Sequence, residues 1–204
     1  MKNQIFCGIA SSLEIKFDEI TNLTIKKVDS NEDIKPKPKE FSVLILDKTT
    51  HSLYSKKQFV CEKNFDVIAY YDNDSNRPEH IIAVLECFDH LLSCPGVLSH
   101  QQISTLMKLG ILIYNGDLSR VRGASYDLII DKEHLKSGIK VISAETFKID
   151  PLDYVVVGAV ESVNIPKNIC ASFDTKVSMF CKGIILSNGP QVDPGYQPNF
   201  PKKL

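Results

Sequence analysis

The apolar pattern of this 204-residue chain changes character at Pro95 and Gly96, and that change points to two unlike halves. Upstream, residues 41–46 and 65–71 are short, continuous apolar runs rich in β-formers. They are closed by Asp47 and Asp72, as expected of strands buried on both faces. The Asp, Asn, Ser and Pro of residues 72–78 form a turn cluster. Ile81, Val84, Leu85, Phe88 and Leu92 then recur at helical spacing, which predicts a helix over 78–92. Strand, strand and helix in this order describe a small α/β layer, with no Gly-rich phosphate loop after either strand. Before it, Leu13, Ile15 and Phe17 alternate with charged residues, and residues 23–28 form a second run that the pattern pairs with them as a hairpin. Pro36 and Pro38 lack the amide donor a ladder needs, so residues 31–40 read as a loop.

Downstream of Gly96, Ser99 is placed to accept a hydrogen bond from the first free amides of a helix. The apolar face of that helix is Ile103, Leu106 and Met107, and Gly110 ends it. Short strands between turn residues follow, at 111–114, 126–130, 139–142, 154–160, 171–173 and 183–186, the signature of a β domain. The expected architecture is α+β, with a small α/β domain over residues 1–94 and a β domain over 95–204.

Composition limits the partners. At 43% hydrophobic residues the chain has enough apolar surface for one ordinary core or two small ones. A net charge of −1 provides no bulk positive field to hold a polyanion, so nucleic acid is not expected as the main partner. The sequence has neither an initial apolar h-region nor a membrane-length apolar stretch, and a cytoplasmic protein that does not engage membrane is expected. The six cysteines are scattered, as expected of reduced, mostly buried thiols. Cys87, His90 and Cys94 share a helix face that offers two or three soft ligands. A structural zinc site needs four, so they read as a core cysteine and a surface histidine, and no metal site is assigned.

Four stretches carry a resemblance. They are Val97-Leu98-Ser99 with the following helix and Gly110-Ile111-Leu112-Ile113; Gly123-Ala124-Ser125-Tyr126-Asp127-Leu128; Ile149-Asp150-Pro151 through Glu161 to Val163-Asn164-Ile165-Pro166; and Gln191-Val192-Asp193-Pro194-Gly195-Tyr196. In this order, residues 97–204 resemble the zinc-independent dCTP deaminase and dUTPase family. The resemblance implies a jelly-roll-like, dUTPase-like β-barrel and a homotrimer with sites between subunits. It also implies a deoxyribonucleotide ligand, with Mg²⁺ helping to hold its triphosphate and no zinc.

The same resemblance assigns residues. Ser125 and Asp127 belong to the scaffold under the site, Asp127 by accepting from turn amides. Asp193 contacts the deoxyribose or orients a water, tasks that suit a carboxylate; capping of backbone amides stands open as its other reading. Tyr196 lies against the sugar or packs in the core. Lys176 and Ser178 keep a cation and a hydroxyl for phosphate oxygens; for Lys176, as for Lys182, solvated surface is the other reading. Val177 replaces one hydroxyl, Cys181 stands where the family has an arginine, and Lys182 faces away if this segment is a strand. The family's water-activating glutamate has no match, because residues 197–204 contain no acid and two prolines. One arrangement returns an acid: residues 12–15 and 23–25 are loosely similar to the absent strands, and would bring Glu14 to the site. Two functions follow, a nucleotide-binding protein with impaired or absent catalysis, or an active deaminase or diphosphohydrolase of dCTP or dUTP.

Overall fold

The computed structural model describes residues 4–10, 13, 23–29, 32–37, 40–48, 62–136, 149–152, 154–186 and 191–197. The fold is mixed α+β. Four strands, β1 (Ile5–Ala10), β2 (Leu23–Val28), β3 (Phe41–Asp47) and β4 (Val67–Tyr71), form one parallel sheet in the order β2-β1-β3-β4. Strands β1, β3 and β4 are buried along their whole length, which explains why their sequences are continuous apolar runs rather than alternations. Gly8 lies where the sheet leaves no room for a side chain, since a Cβ would come within 2.9 Å of the Phe65 ring.

The first strand is β1, a run of six residues that precedes the alternation at 13–17. Strand β2 pairs in parallel with β1, Ile5 opposite Leu23 through Ala10 opposite Val28, and parallel neighbours need a crossover connection. Residues 23–25 are therefore part of this sheet. Residues 14–17, the expected hairpin partner of β2, lie outside the described residues, Glu14 among them, as do residues 139–142.

Helix α1 (Pro78–Ser93) starts with a proline, whose missing amide costs nothing in the first turn. It buries Ile81, Val84, Leu85 and Phe88, with the Phe88 ring 4.9 Å from that of Phe41 on β3. Helix α2 (His100–Met107) is capped by Ser99, whose hydroxyl accepts from Gln102 N–H while Gln102 Oε1 accepts from Ser99 N–H. Ile103, Leu106 and Met107 are buried as expected. The helix stops at Met107, and a turn through Gly110 leads into the next strand.

The free edge of β4 shows how the halves meet. Its outward backbone groups recur at every second residue, and the C-terminal half satisfies three of them. Lys167 N–H donates to Asp66 O at 3.0 Å, Asn164 Nδ2 to Ile68 O at 3.0 Å, and Tyr70 N–H donates to Leu109 O at 2.8 Å. An exposed strand edge is thereby covered. Buried side chains from both halves form one continuous apolar cluster, in which Tyr70 and Tyr114 meet edge to face at 5.1 Å.

The C-terminal half contains antiparallel pairs: β5 (Leu112–Tyr114) with β8 (Ser162–Asn164), β6 (Ile130–Lys136) with β7 (Val156–Ala159), and β9 (Ala171–Ser172) with β10 (Gln191–Val192). Among the described residues these pairs are not joined into a closed barrel. The strand expected at 126–130 begins only at Ile130. Tyr126 makes a single bridge to Val121, and the Ile129 amide is taken by the Glu161 carboxylate at 2.9 Å. The strand expected at 183–186 is also absent. Before it lies a one-turn helix, α3 (Val177–Phe180), closed by the bonds Phe180 N–H to Lys176 O and Cys181 N–H to Val177 O. The inference that Lys182 faces away by strand alternation therefore does not apply.

Of the described cysteines only Cys7 is buried, its thiol pushed up to about 12 by loss of solvent, and Cys94, Cys170 and Cys181 are exposed. This corrects the expectation of mostly buried thiols. Among the described residues no helix is long and apolar enough to cross a membrane.

Candidate functional site

The turn that carries Ser125 also orients a cation. Ser125 O accepts from Arg122 N–H at 2.8 Å, and Arg122 Nε reaches Asp127 Oδ2 at 2.9 Å. Lys176 Nζ meets the same oxygen, also at 2.9 Å. The partners of the Asp127 carboxylate are thus two side-chain cations in place of the expected turn amides. Lys176 and then Arg122, by hydrogen bond and charge, hold this carboxyl below its ordinary value. Two cations around one carboxylate leave a net positive charge on an exposed face. The sequence reading missed Arg122, although it stands directly before the Gly-Ala-Ser-Tyr-Asp stretch.

A depressed folded value means that the cluster's contribution to stability is complete above the ordinary aspartate range. It fades as pH falls through the folded value. In a carbon-detected titration, Asp127 is expected to have its midpoint below 3.8, and Lys176→Ala to raise it. A wild-type midpoint at or above 3.8 contradicts the pairing.

Beneath this face Glu161, almost fully buried, accepts from Tyr126 Oη at 3.0 Å and from Ile129 N–H. Tyr126 Oη in turn accepts from Asp117 N–H at 3.0 Å. Burial, ahead of the Glu161 interaction, raises the Tyr126 hydroxyl above its ordinary value. The chain of bonds fixes the strand entry at Ile130 and the turn that presents Arg122.

The Asp-Pro-Gly-Tyr stretch forms a turn in which Tyr196 N–H donates to Asp193 O at 3.1 Å. Gly195 has φ +79°, a left-handed conformation that favours glycine. This turn is hydrogen-bonded to the Ile-Pro turn: Gly195 N–H donates to Pro166 O at 3.1 Å, and Ile165 N–H donates to Tyr196 O at 2.8 Å. The Asp193 carboxylate is exposed and accepts from Gln191 Nε2 at 3.2 Å, a side-chain partner rather than the backbone amides of a cap. Tyr196 is 49% exposed, so it is not a core side chain. Ser178 is exposed on α3, two residues after Lys176.

Of the residues singled out from sequence, the structure thus joins Asp127 with Lys176, and Asp193 with Tyr196. Among the described residues no hydrogen bond or ion pair links the two groups. No three His, Cys, Asp or Glu side chains among the described residues converge as a metal site. A Mg²⁺ ion brought with a triphosphate needs little from the protein, because it keeps several waters and takes phosphate oxygens together with one or two carboxylates. The exposed Asp193 carboxylate fits that role.

A cleft of about 290 Å³ lies between the sheet and the joined turns, walled by residues 63 and 65–68 on one side and by residues 164–167, 195 and 197 on the other. The chain matches no family model, no curated protein and no solved structure in comparison.

Proposed function

We propose that the protein binds a deoxyribonucleoside triphosphate, with catalysis impaired or absent, through Arg122, Lys176, Ser178, Asp193 and Tyr196. The proposal includes membership of the dCTP deaminase and dUTPase-like family for residues 97–204. One observation carries it. The Ile-Pro and Asp-Pro-Gly-Tyr stretches, matched to the family separately along the chain, are hydrogen-bonded to each other in space. The unbalanced cation pair adds to it, since phosphate is favoured by charge combined with directional donors.

The reading includes a homo-oligomer, a trimer by resemblance, with Mg²⁺ entering on the triphosphate. Exposed large apolar side chains, among them Val156, Val157, Val160, Phe173, Val177 and Phe180, are the kind of surface that another subunit covers. A barrel-like arrangement of the antiparallel pairs belongs to the same proposal. Weak catalysis follows from chemistry: Val177 and Cys181 replace a hydroxyl and a guanidinium in the segment beside Lys176. A positioned group contributes roughly a hundredfold to ten-thousandfold, so the loss of several that act together leaves little rate.

Incubation with dCTP or dUTP and Mg²⁺ is expected to give no product at an ordinary enzyme rate, while either nucleotide raises the melting temperature. Turnover at a rate of about 1 per second or more supports the alternative, an active deaminase or diphosphohydrolase.

A further inference from the structure

The cleft between β4 and the joined turns does not include Lys176, Ser178, Asp193 or Tyr196 among its walls. Asn164, only 4% exposed, lines it. Its Nδ2 donates both hydrogens, to Ile68 O at 3.0 Å and Gly110 O at 2.9 Å, which fixes the amide orientation. The remaining polar atom of the side chain, Oδ1, has no partner among the described residues, and a buried acceptor without a donor is costly. This atom calls for a donor from whatever fills the cleft.

The rest of the lining specifies what that molecule looks like. Phe65, Val67, Ile68 and Ile165 are buried and make an apolar wall. At the rim are two lysines, Lys63 and Lys167, both exposed; Lys167 Nζ donates to Lys63 O at 3.2 Å, and Lys63 Nζ has no partner among the described residues. Gly195 lies so close to Lys167 that a Cβ would approach its Cγ to 3.1 Å, which holds the lysine stem against the turn. The acid in the wall, Asp66, is engaged by Ser42 N–H at 3.0 Å and Ser42 Oγ at 2.9 Å through one oxygen. Two cations therefore face one carboxylate that is already hydrogen-bonded.

We propose that this cleft binds a small phosphomonoester with a hydroxyl donor, the hydroxyl meeting Asn164 Oδ1 and the phosphate lying between Lys63 and Lys167. An apolar wall with a few placed polar groups is the anatomy of a small-molecule site. The volume, about 290 Å³, falls just below the range of about 300–1,000 Å³ for such sites, so a sugar phosphate fits better than a nucleoside triphosphate. The proposal stands independently of the nucleotide reading.

The test is an NMR titration of the full chain with ribose 5-phosphate, methyl phosphate and inorganic phosphate, following the amides of Lys167 and Gly195. Ribose 5-phosphate is expected to saturate these shifts at least about tenfold more tightly than methyl phosphate, which has no donor for Asn164, and than inorganic phosphate. Lys63→Glu, at an exposed position, is expected to weaken binding by about tenfold or more without changing the melting temperature. Asp193→Ala should leave it unchanged, which separates this site from the nucleotide-binding residues. The proposal is overturned by the absence of saturable shifts with any probe, which means that water alone fills the cleft. Equal affinity for all three probes, or an unaffected Lys63→Glu variant, also overturns it.

Discussion

Asn164→Leu is expected to lower the free energy of unfolding by about 3 kcal/mol, because one side chain serves two backbone carbonyls in an almost sealed position. Its amide donates to Ile68 O on the sheet edge and to Gly110 O in the turn before β5, so it joins both halves at once. Leucine has similar bulk and no donor. Both carbonyls then lose their partner, at roughly 1–3 kcal/mol for the buried Ile68 O and less for the part-buried Gly110 O. The neighbouring contacts, Lys167 to Asp66 and Tyr70 to Leu109, are backbone bonds and survive the substitution. Asn76 provides the comparison: its Nδ2 donates to Lys108 O at 2.9 Å in an exposed setting, where water replaces the lost bond, and its Oδ1 accepts from Asp72 N–H at 2.9 Å in a part-buried one. Asn76→Ala should cost about 1–2 kcal/mol, less than Asn164→Leu. Urea denaturation of the two variants measures the difference, and equal costs would contradict the role given to Asn164.

Phe88→Ala is expected to cost about 3–5 kcal/mol, the range for removing a buried aromatic ring and leaving a cavity. Phe88 is completely buried on the face of α1 that packs on the sheet, with its ring against that of Phe41. No other side chain on the helix can move in to fill the space, since Ile81, Val84 and Leu85 are already packed on the same face. Glu86, on the exposed side of the same helix, serves as the control: Glu86→Ala should fall within about 0.5 kcal/mol of the parent. A loss below about 1 kcal/mol for Phe88→Ala would mean that α1 is not docked as described.

These two side chains also mark what the sequence makes legible. Phe88 belongs to a periodic apolar face, and periodicity is a local property, so α1, α2, β3 and β4 were readable from their own residues. The continuous apolar character of β3 and β4 reflects burial on both faces, and the same signal was available for β1 in Ile5 to Ala10. Which strand β2 joins is a non-local matter, and nothing in Leu23 to Val28 encodes a parallel partner.

The helical turn α3 shows a different limit. Val177 is 77% exposed, so its apolar character reports no burial, and a reading that equates apolar residues with a strand core fails there. In the candidate site, Asp127 and Lys176 were picked out separately, but their shared oxygen and the second cation on it, Arg122, depend on packing that no spacing rule conveys. Asn164 and Lys63 lie far apart in the chain and acquire meaning only when the cleft brings them together.

Isothermal titration calorimetry with dCTP and with dUTP, in the presence of Mg²⁺, reaches the functional claim most directly. The account predicts a saturable exchange of heat with one nucleotide bound per chain and no accompanying product, weakened by about tenfold or more in Asp193→Ala. Absence of binding up to millimolar nucleotide, or binding that Asp193→Ala leaves intact, would contradict it.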